Sequence, residues 1–233
     1  MRSLYRTLDR AALRDAGLIA AAAGVVGLSF GAIASGAGLP WWLPVTLSVL
    51  VFAGASQFVF VGILSAGGGL AGALLAALLV NARHLPFGFS VAPVLGAGWR
   101  RALGTHLMVD ETVAFALAQP DPRSKRAAYW LLGSTLFATW NAGVVAGVVL
   151  ASAVTDSGAL GLDAAFPAML LALVAPALRD RRTCGAGALG AAVALAVTPM
   201  LPAGIPVLLA LVALLVVPVR REGGTPRAAA GAR

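Results

Sequence analysis

The stretch GASQFVFVGILSAGGGLAGALLAALLVNARHLPFGFSVAP, from Gly54 to Pro93, decides how this chain is read. It is almost wholly apolar, yet it carries Gln57, Asn81, Arg83 and His84. Arg83 is the only formal charge between Ala16 and Trp99. Such a run does not stay dissolved in water, whereas in a bilayer it is ordinary. A guanidinium in hydrocarbon costs roughly 2.5–3.5 kcal/mol on insertion scales, so Arg83 needs a partner.

Outward from that stretch, the composition agrees. Of 233 residues, 60% are hydrophobic and 11% charged, with mean hydropathy +0.91. A soluble domain carries about 25% charged residues. We expect an all-α, polytopic transmembrane helical bundle. A span needs about 20 apolar residues, which allows about seven or eight spans and no second, soluble domain. The net charge is +8, and every basic residue except Lys125 is arginine. These cations cluster at the N-terminus, in short loops and at the C-terminus, as the positive-inside rule requires. We therefore expect a lipid bilayer, not nucleic acid, as the partner of the basic residues.

The chain divides into a basic cytoplasmic N-terminus (residues 1–15), a transmembrane domain (16–219) and a disordered cytoplasmic tail (220–233). Asp9 and Asp15 interrupt the basic region, and the apolar run after Ala16 outlasts a signal peptide, so it reads as the first span. Gly24, Gly27 and Gly31 give that span, about Gly17 to Ser35, a small-residue packing face. Expected spans follow at about Pro44–Leu64, Leu70–Ser90, Ala102–Ala118, Ala127–Ala153, Ala164–Leu178, Cys184–Val197 and Ile205–Val219.

In the second span, GASQ marks either a tight helix contact or an unwound point. Gly67, Gly68 and Gly69 break the chain before the third. Pro86 cannot donate to the Ala82 carbonyl and kinks or ends the third span there. Both termini, the SKR turn (residues 124–126) and the RDRR loop (179–182) should be cytoplasmic, and the acidic loop 155–163 outside. Eight spans satisfy this parity except at Arg100 and Arg101, which would face outside. Either the charge bias fails there, or an element around spans two to four is re-entrant. A weak internal repeat pairs GLPWWLP (38–44) with GLDAAFP (161–167) and AGALLAALL (71–79) with AGALGAAVA (186–194).

Helix geometry places residues three or four apart on one face. Asn81, His84 and Gly88 should line up in span three, and His106 and Asp110 in span four, with Glu111 about 100° round. An Arg83–carboxylate pair between the two spans follows, since intramembrane charges pair with one another. The pair either fixes helix register or serves a site. With two carboxylates and two histidines to one arginine, a spare carboxylate is left to carry a proton. Ser56 and Gln57, and Thr139 and Asn141, suit interhelical hydrogen bonds of about 0.6 kcal/mol. Asp163 suits an N-cap.

No HExxH or Walker lysine motif occurs, so we expect no enzyme. His84, His106, Asp110 and Glu111 lack metal-ligand spacing, and the lone Cys184 excludes a cysteine cluster. No metal or cofactor is expected.

The segments GASQFVFVGILSAGG, LLVNARHLPFGFSVAP, ALGTHLMVDETVAFAL and GLDAAFPAMLLALVAP together resemble the AzlC family, from about Gly17 to Val219. The resemblance implies the larger subunit of a two-component exporter of branched-chain amino acids in the bacterial cytoplasmic membrane. It implies a small AzlD-type membrane subunit as a separate partner chain. Its matched motif residues are Gln57, Asn81, Arg83, His84, Pro86, Asp110 and Glu111. We expect gradient-driven export of a hydrophobic amino acid, with Ser56, His106 and Asn141 as secondary site residues. A passive channel and a non-transporting membrane scaffold stay open beside it.

Overall fold

The computed structural model describes residues 7–153, 177–201, 205–210 and 213. The chain forms two units, Met1–Leu171 and Ala172–Arg233. All regular structure among the described residues is helical.

Two long helices frame the first unit. Helix α1 (Arg10–Gly36) starts at Asp9, whose carboxylate accepts a 2.7 Å hydrogen bond from the Ala12 amide. Asp121 likewise caps α8 (Pro122–Ala153), accepting from the Arg123 and Ser124 amides, with Pro122 at the first helical position where no amide is needed. At 27 and 32 residues, each is long and apolar enough to cross a membrane.

They run parallel, because Leu8 packs on Ala127 and Ala128 at one end while Gly24, Gly27 and Gly31 meet Thr139, Trp140 and Val144 further along. A Cβ on Gly27 would lie 2.6 Å from the Trp140 carbonyl oxygen. Cβ atoms on Gly31, Gly143 or Gly147 would overlap the Val144, Gly24 and Leu28 carbonyl oxygens. The expected small-residue face is thus the α1–α8 contact. Dispersion between closely approached backbones holds it, since apolar burial contributes little in lipid.

Between them the chain departs from a row of simple spans. The second expected span is two short helices, α2 (Trp42–Leu50) and α3 (Gly54–Ser65). The third is a pair, α4 (Leu70–Asn81) and α5 (His84–Leu95), bent by 45°. The fourth is α6 (Trp99–His106) and α7 (Asp110–Leu117). At 1.5 Å per residue, α6 and α7, of 8 residues each, reach only about 12 Å.

Contacts with α8 give the direction of each piece. Along α2, Ser48 bonds Asn141 and then Phe52 meets Phe137, so α2 descends. Gly54 meets Trp140, and Phe58 meets Trp140 and Phe30, so α3 climbs back. The Gly96–Gly98 turn before α6 lies beside Arg126, Gly104 beside Trp130, and His106 beside Phe137, so α6 ascends. Thr112 lies against Gly133, and Val113 and Ala116 cluster with Tyr129, so α7 returns. The two helix pairs are hairpins that enter from opposite ends of α8. Helix α5 ends beside Tyr129, at the end where α8 starts.

The turns suit this path. Gly38 and Gly67, each at φ +76°, end α1 and α3 in Schellman motifs. Their own amides bond Ser35 and Leu64, and the next amides bond Ala34 and Ile63. The predicted break at Gly67–Gly69 is the α3–α4 turn. Pro86 lies in the first turn of α5, where its missing amide costs nothing.

This path corrects two readings. Asn81 ends α4 and His84 begins α5, so Asn81 shares no helical face with His84 and Gly88, which stay four residues apart on α5. His106 and Asp110 are likewise parted by the break at Leu107–Val109. The 3.6-residue period does not run through a break. Of the seven or eight spans expected, the described residues contain two helices that qualify alone and a third if the bent α4–α5 pair counts as one.

In the second unit, a 3₁₀ turn at Ala177–Arg179 precedes α9 (Arg181–Val197), capped by Asp180 through the Thr183 amide at 2.8 Å. Hydrogen bonds to Thr183, backbone first and then side chain, hold the Asp180 carboxyl below its ordinary pKa. Gly190 packs against Ala210 of α10 (Ile205–Ala210). Asp163, most of the expected sixth span, the tail and the GLDAAFP copy of the repeat lie outside the described residues.

Candidate functional site

Three helix breaks meet in the first unit. They lie at Val51–Ala53, at Ala82–Arg83 and at Leu107–Val109. The Phe52 ring lies 5.1 Å from Phe137 and 6.3 Å from His106, and His106 lies 5.6 Å from Phe137. Phe137 is midway along α8, which at 1.5 Å per residue puts the meeting point roughly 22–24 Å from either end. A cavity of about 410 Å³ opens there. Phe52, Asn81, His84, Thr105, His106 and Met108 line it, so every break contributes. The volume is at the small end of the roughly 300–1,000 Å³ typical of ligand sites.

The breaks bring helix ends together. The C-termini of α2, α4 and α6 and the N-termini of α3, α5 and α7 converge, each end carrying about half a unit charge of either sign. Broken helices place such ends in the middle of a membrane protein only where protein or a cavity surrounds them.

Arg83 Nη1 lies 2.9 Å from Asp110 Oδ2, joining the start of α5 to the first residue of α7. A carboxylate also suits the positive N-terminus of α7. Arg83 is the chain neighbour of His84, which lines the cavity, and the side chains of the pair are 39% and 42% exposed. Within it, Arg83 Nε and Asp110 Oδ1 are themselves buried and have no hydrogen-bond partner. The pair therefore has unused donor and acceptor capacity. Glu111 is exposed and takes no part in it.

His84 Nδ1 lies 3.0 Å from the Asn81 carbonyl oxygen. A carbonyl only accepts, so Nδ1 carries the proton and Nε2 is left to accept when neutral or donate when charged. Asn81 Oδ1 is buried without a partner. The cavity lining is thus mixed, polar at Asn81, His84, Thr105 and His106 and apolar at Phe52 and Met108.

Other predicted residues brace the α2–α3 tip and do not line the cavity. Gln57, 1% exposed, donates from Nε2 to the Leu47 carbonyl at 2.9 Å, and its Oε1 has no partner. Ser56 Oγ donates to the Ala53 carbonyl at 2.8 Å. Asn141 accepts from Ser48 Oγ at 2.6 Å and donates to the Phe137 carbonyl. Gly54 must lack a side chain, since a Cβ would lie 2.9 Å from the Trp140 ring.

Three residues here, Tyr129, Thr112 and Phe52, were not among the predicted site residues. Met108 N turns to the Thr105 carbonyl, and Tyr129 Oη donates instead to the Gly104 carbonyl at 2.7 Å. Thr112 Oγ1 accepts from the Val109 amide at 2.9 Å and donates to the Val109 carbonyl. Phe52 holds φ +38°, in the left-handed region, at a cost of order 1–3 kcal/mol. Tyr129, near the start of α8, was the one detectable hint, because a buried phenol needs an acceptor.

A family model described as AzlC protein matches residues 19–154. The chain belongs to the AzlC family. The match takes in all three breaks, the Arg83–Asp110 pair and the cavity. Two proteins of Helicobacter pylori, from strains J99 and 26695, are each described as an uncharacterized membrane protein and are each 32% identical to this chain over 91 residues. Each alignment covers 39% of this chain and 40% of the relative. No solved structure matches. Family membership and apolar helices together make this AzlC-family chain a membrane protein related to transport.

Proposed function

We propose that this AzlC-family chain is the transporting subunit of an exporter for branched-chain or similar hydrophobic amino acids, acting with a small AzlD-type membrane subunit in the bacterial cytoplasmic membrane. The observation that carries the reading is the cavity midway along α8, where the ends of three broken helices meet. Its size suits an amino acid, and its mixed polar and apolar lining suits a zwitterionic head and an apolar side chain. The α-carboxylate exchanges with Asp110 for Arg83, whose unpartnered Nε leaves room for a second hydrogen bond. The ammonium group takes the unpartnered Asn81 Oδ1 and the negative C-terminal helix ends. Glu111, outside the ion pair, is the carboxylate available for proton coupling.

In this reading α1, α4–α5 and α8 cross the bilayer, while α2–α3 and α6–α7 are re-entrant. Arg10, Arg14, Arg100, Arg101, Arg123, Lys125 and Arg126 then share the cytoplasmic side, and the charge bias holds without exception. The test is export of valine, leucine and isoleucine from dipeptide-fed cells with and without this chain and its partner. Equal release in both cultures, with the chain present in the membrane, rejects the reading.

A further inference from the structure

We propose that Phe52 sets the upper size of the side chain this protein accepts, as the wall of the cavity against α8. The inference rests on the export reading and deepens it. Phe52 is the only non-glycine residue with positive φ among the described residues. A glycine would hold that backbone without strain, and Gly54 stands two residues on, so the turn alone does not call for phenylalanine. The strain is kept for the ring.

Phe52 is 4% exposed, lines the cavity and makes an edge contact with Phe137, with His106 beside it. The α2–α3 tip, the end of α6 and the middle of α8 thus supply one aromatic cluster at a cavity that Asn81 and His84 also line. An amino acid held by its polar head at Asn81 and Arg83 directs its side chain towards Phe52 and Met108. With the ring in place, the cavity takes a branched aliphatic group. Without it, the space extends to Phe137 and admits an aromatic one.

Packing differences of one or a few carbons change enzyme selectivity by about 10–200-fold, and removing a ring sits at the upper end. Leucine and phenylalanine export are measured for the wild type, Phe52→Gly and Phe52→Ala, each normalised to protein in the membrane. The leucine-to-phenylalanine ratio should fall at least tenfold in both variants. Phe52→Gly also relieves the strained backbone and should accumulate better than Phe52→Ala, which keeps the strain. In wild-type cells, phenylalanine and tryptophan should not compete with leucine, a readout that needs no variant.

Leucine export with an unchanged ratio in the variants overturns the inference and leaves the export reading standing. So does equal loss of both substrates, or full competition by phenylalanine in the wild type. Wild-type cells that export no amino acid overturn the export reading itself, and this inference with it.

Discussion

At the residue scale, Arg83 and Asp110 separate two roles that one ion pair can play. If the pair only fixes helix register, replacing both charges by neutral hydrogen-bonding groups should be harmless. If Arg83 also binds a substrate carboxylate, the double variant should fold but not transport. We expect Arg83→Gln and Asp110→Asn singly to reduce membrane abundance several-fold, because each strands a charge between helix ends. The double variant should recover abundance but export less than a tenth of the wild-type amount. Quantitative blotting beside the export assay checks this, and normal export by the double variant would reduce the pair to scaffolding. Tyr129→Phe should cost about 1–3 kcal/mol in a detergent melt, because the Gly104 carbonyl loses its partner. Arg83 announced itself in the sequence as a lone charge in an apolar run. Its partner could be narrowed only to two neighbouring carboxylates, since choosing between them needs the azimuth of α7, and that is set by the break before it. Phe52 was invisible, because a strained φ leaves no mark on a Val-Phe-Ala sequence.

At the element scale, the α1–α8 contact was legible and the hairpins were only partly so. Gly24, Gly27 and Gly31 at spacings of three and four mark a close-packed face in any apolar helix. Replacing Gly31 or Gly147 by alanine should destabilise the protein by about 1–3 kcal/mol, since the Cβ meets backbone that cannot rotate away. Thermal melts check it, with Gly17→Ala, which meets nothing and should not destabilise, as the control. The breaks were harder. Pro86 and the GASQ step signalled two of them. The break at Leu107–Val109 contains neither glycine nor proline and is held by Thr112 and Tyr129 from outside the gap. The start of α8 is a plainer case. Hydrogen bonds from Ser124, side chain first and then backbone, hold the Asp121 carboxyl below its ordinary value of 3.8. A depressed carboxyl stabilises above its unfolded pKa and loses that contribution as pH falls through the folded one. Exchange protection of the Arg123 and Ser124 amides should therefore be flat from neutral pH to about 4 and fall below 3.8. Asp121→Asn should keep the cap at every pH, and Asp121→Ala should lack it throughout.

At the scale of the whole molecule, the decisive question is how often the chain crosses the bilayer. The apolar stretches suggested a crossing for each, because hydropathy counts length and cannot see a turn in the middle. Two crossing patterns keep the N-terminus inside and differ at two loops. If each stretch crosses, the Ala66 turn is cytoplasmic and the Ala97 turn is outside. If α2–α3 and α6–α7 are re-entrant, Ala66 joins Ala37 outside, and Ala97 joins Pro120 inside. All four positions are exposed, so cysteines there are reachable. In a Cys184→Ser background, Ala37→Cys and Ala66→Cys should react with an impermeant maleimide in intact cells. Ala97→Cys and Pro120→Cys should react only after the membrane is opened. Labelling of Ala97→Cys from outside, or protection of Ala66→Cys until lysis, would replace the hairpins by full spans and part Arg100 from the other cations. The expected pattern places a hairpin tip from each side at the middle of α8. A solute in the cavity is then separated from each compartment by one short, mostly apolar hairpin, and releasing either tip opens a path to one side only. That geometry suits alternating access in the proposed export and needs no movement of α1 against α8.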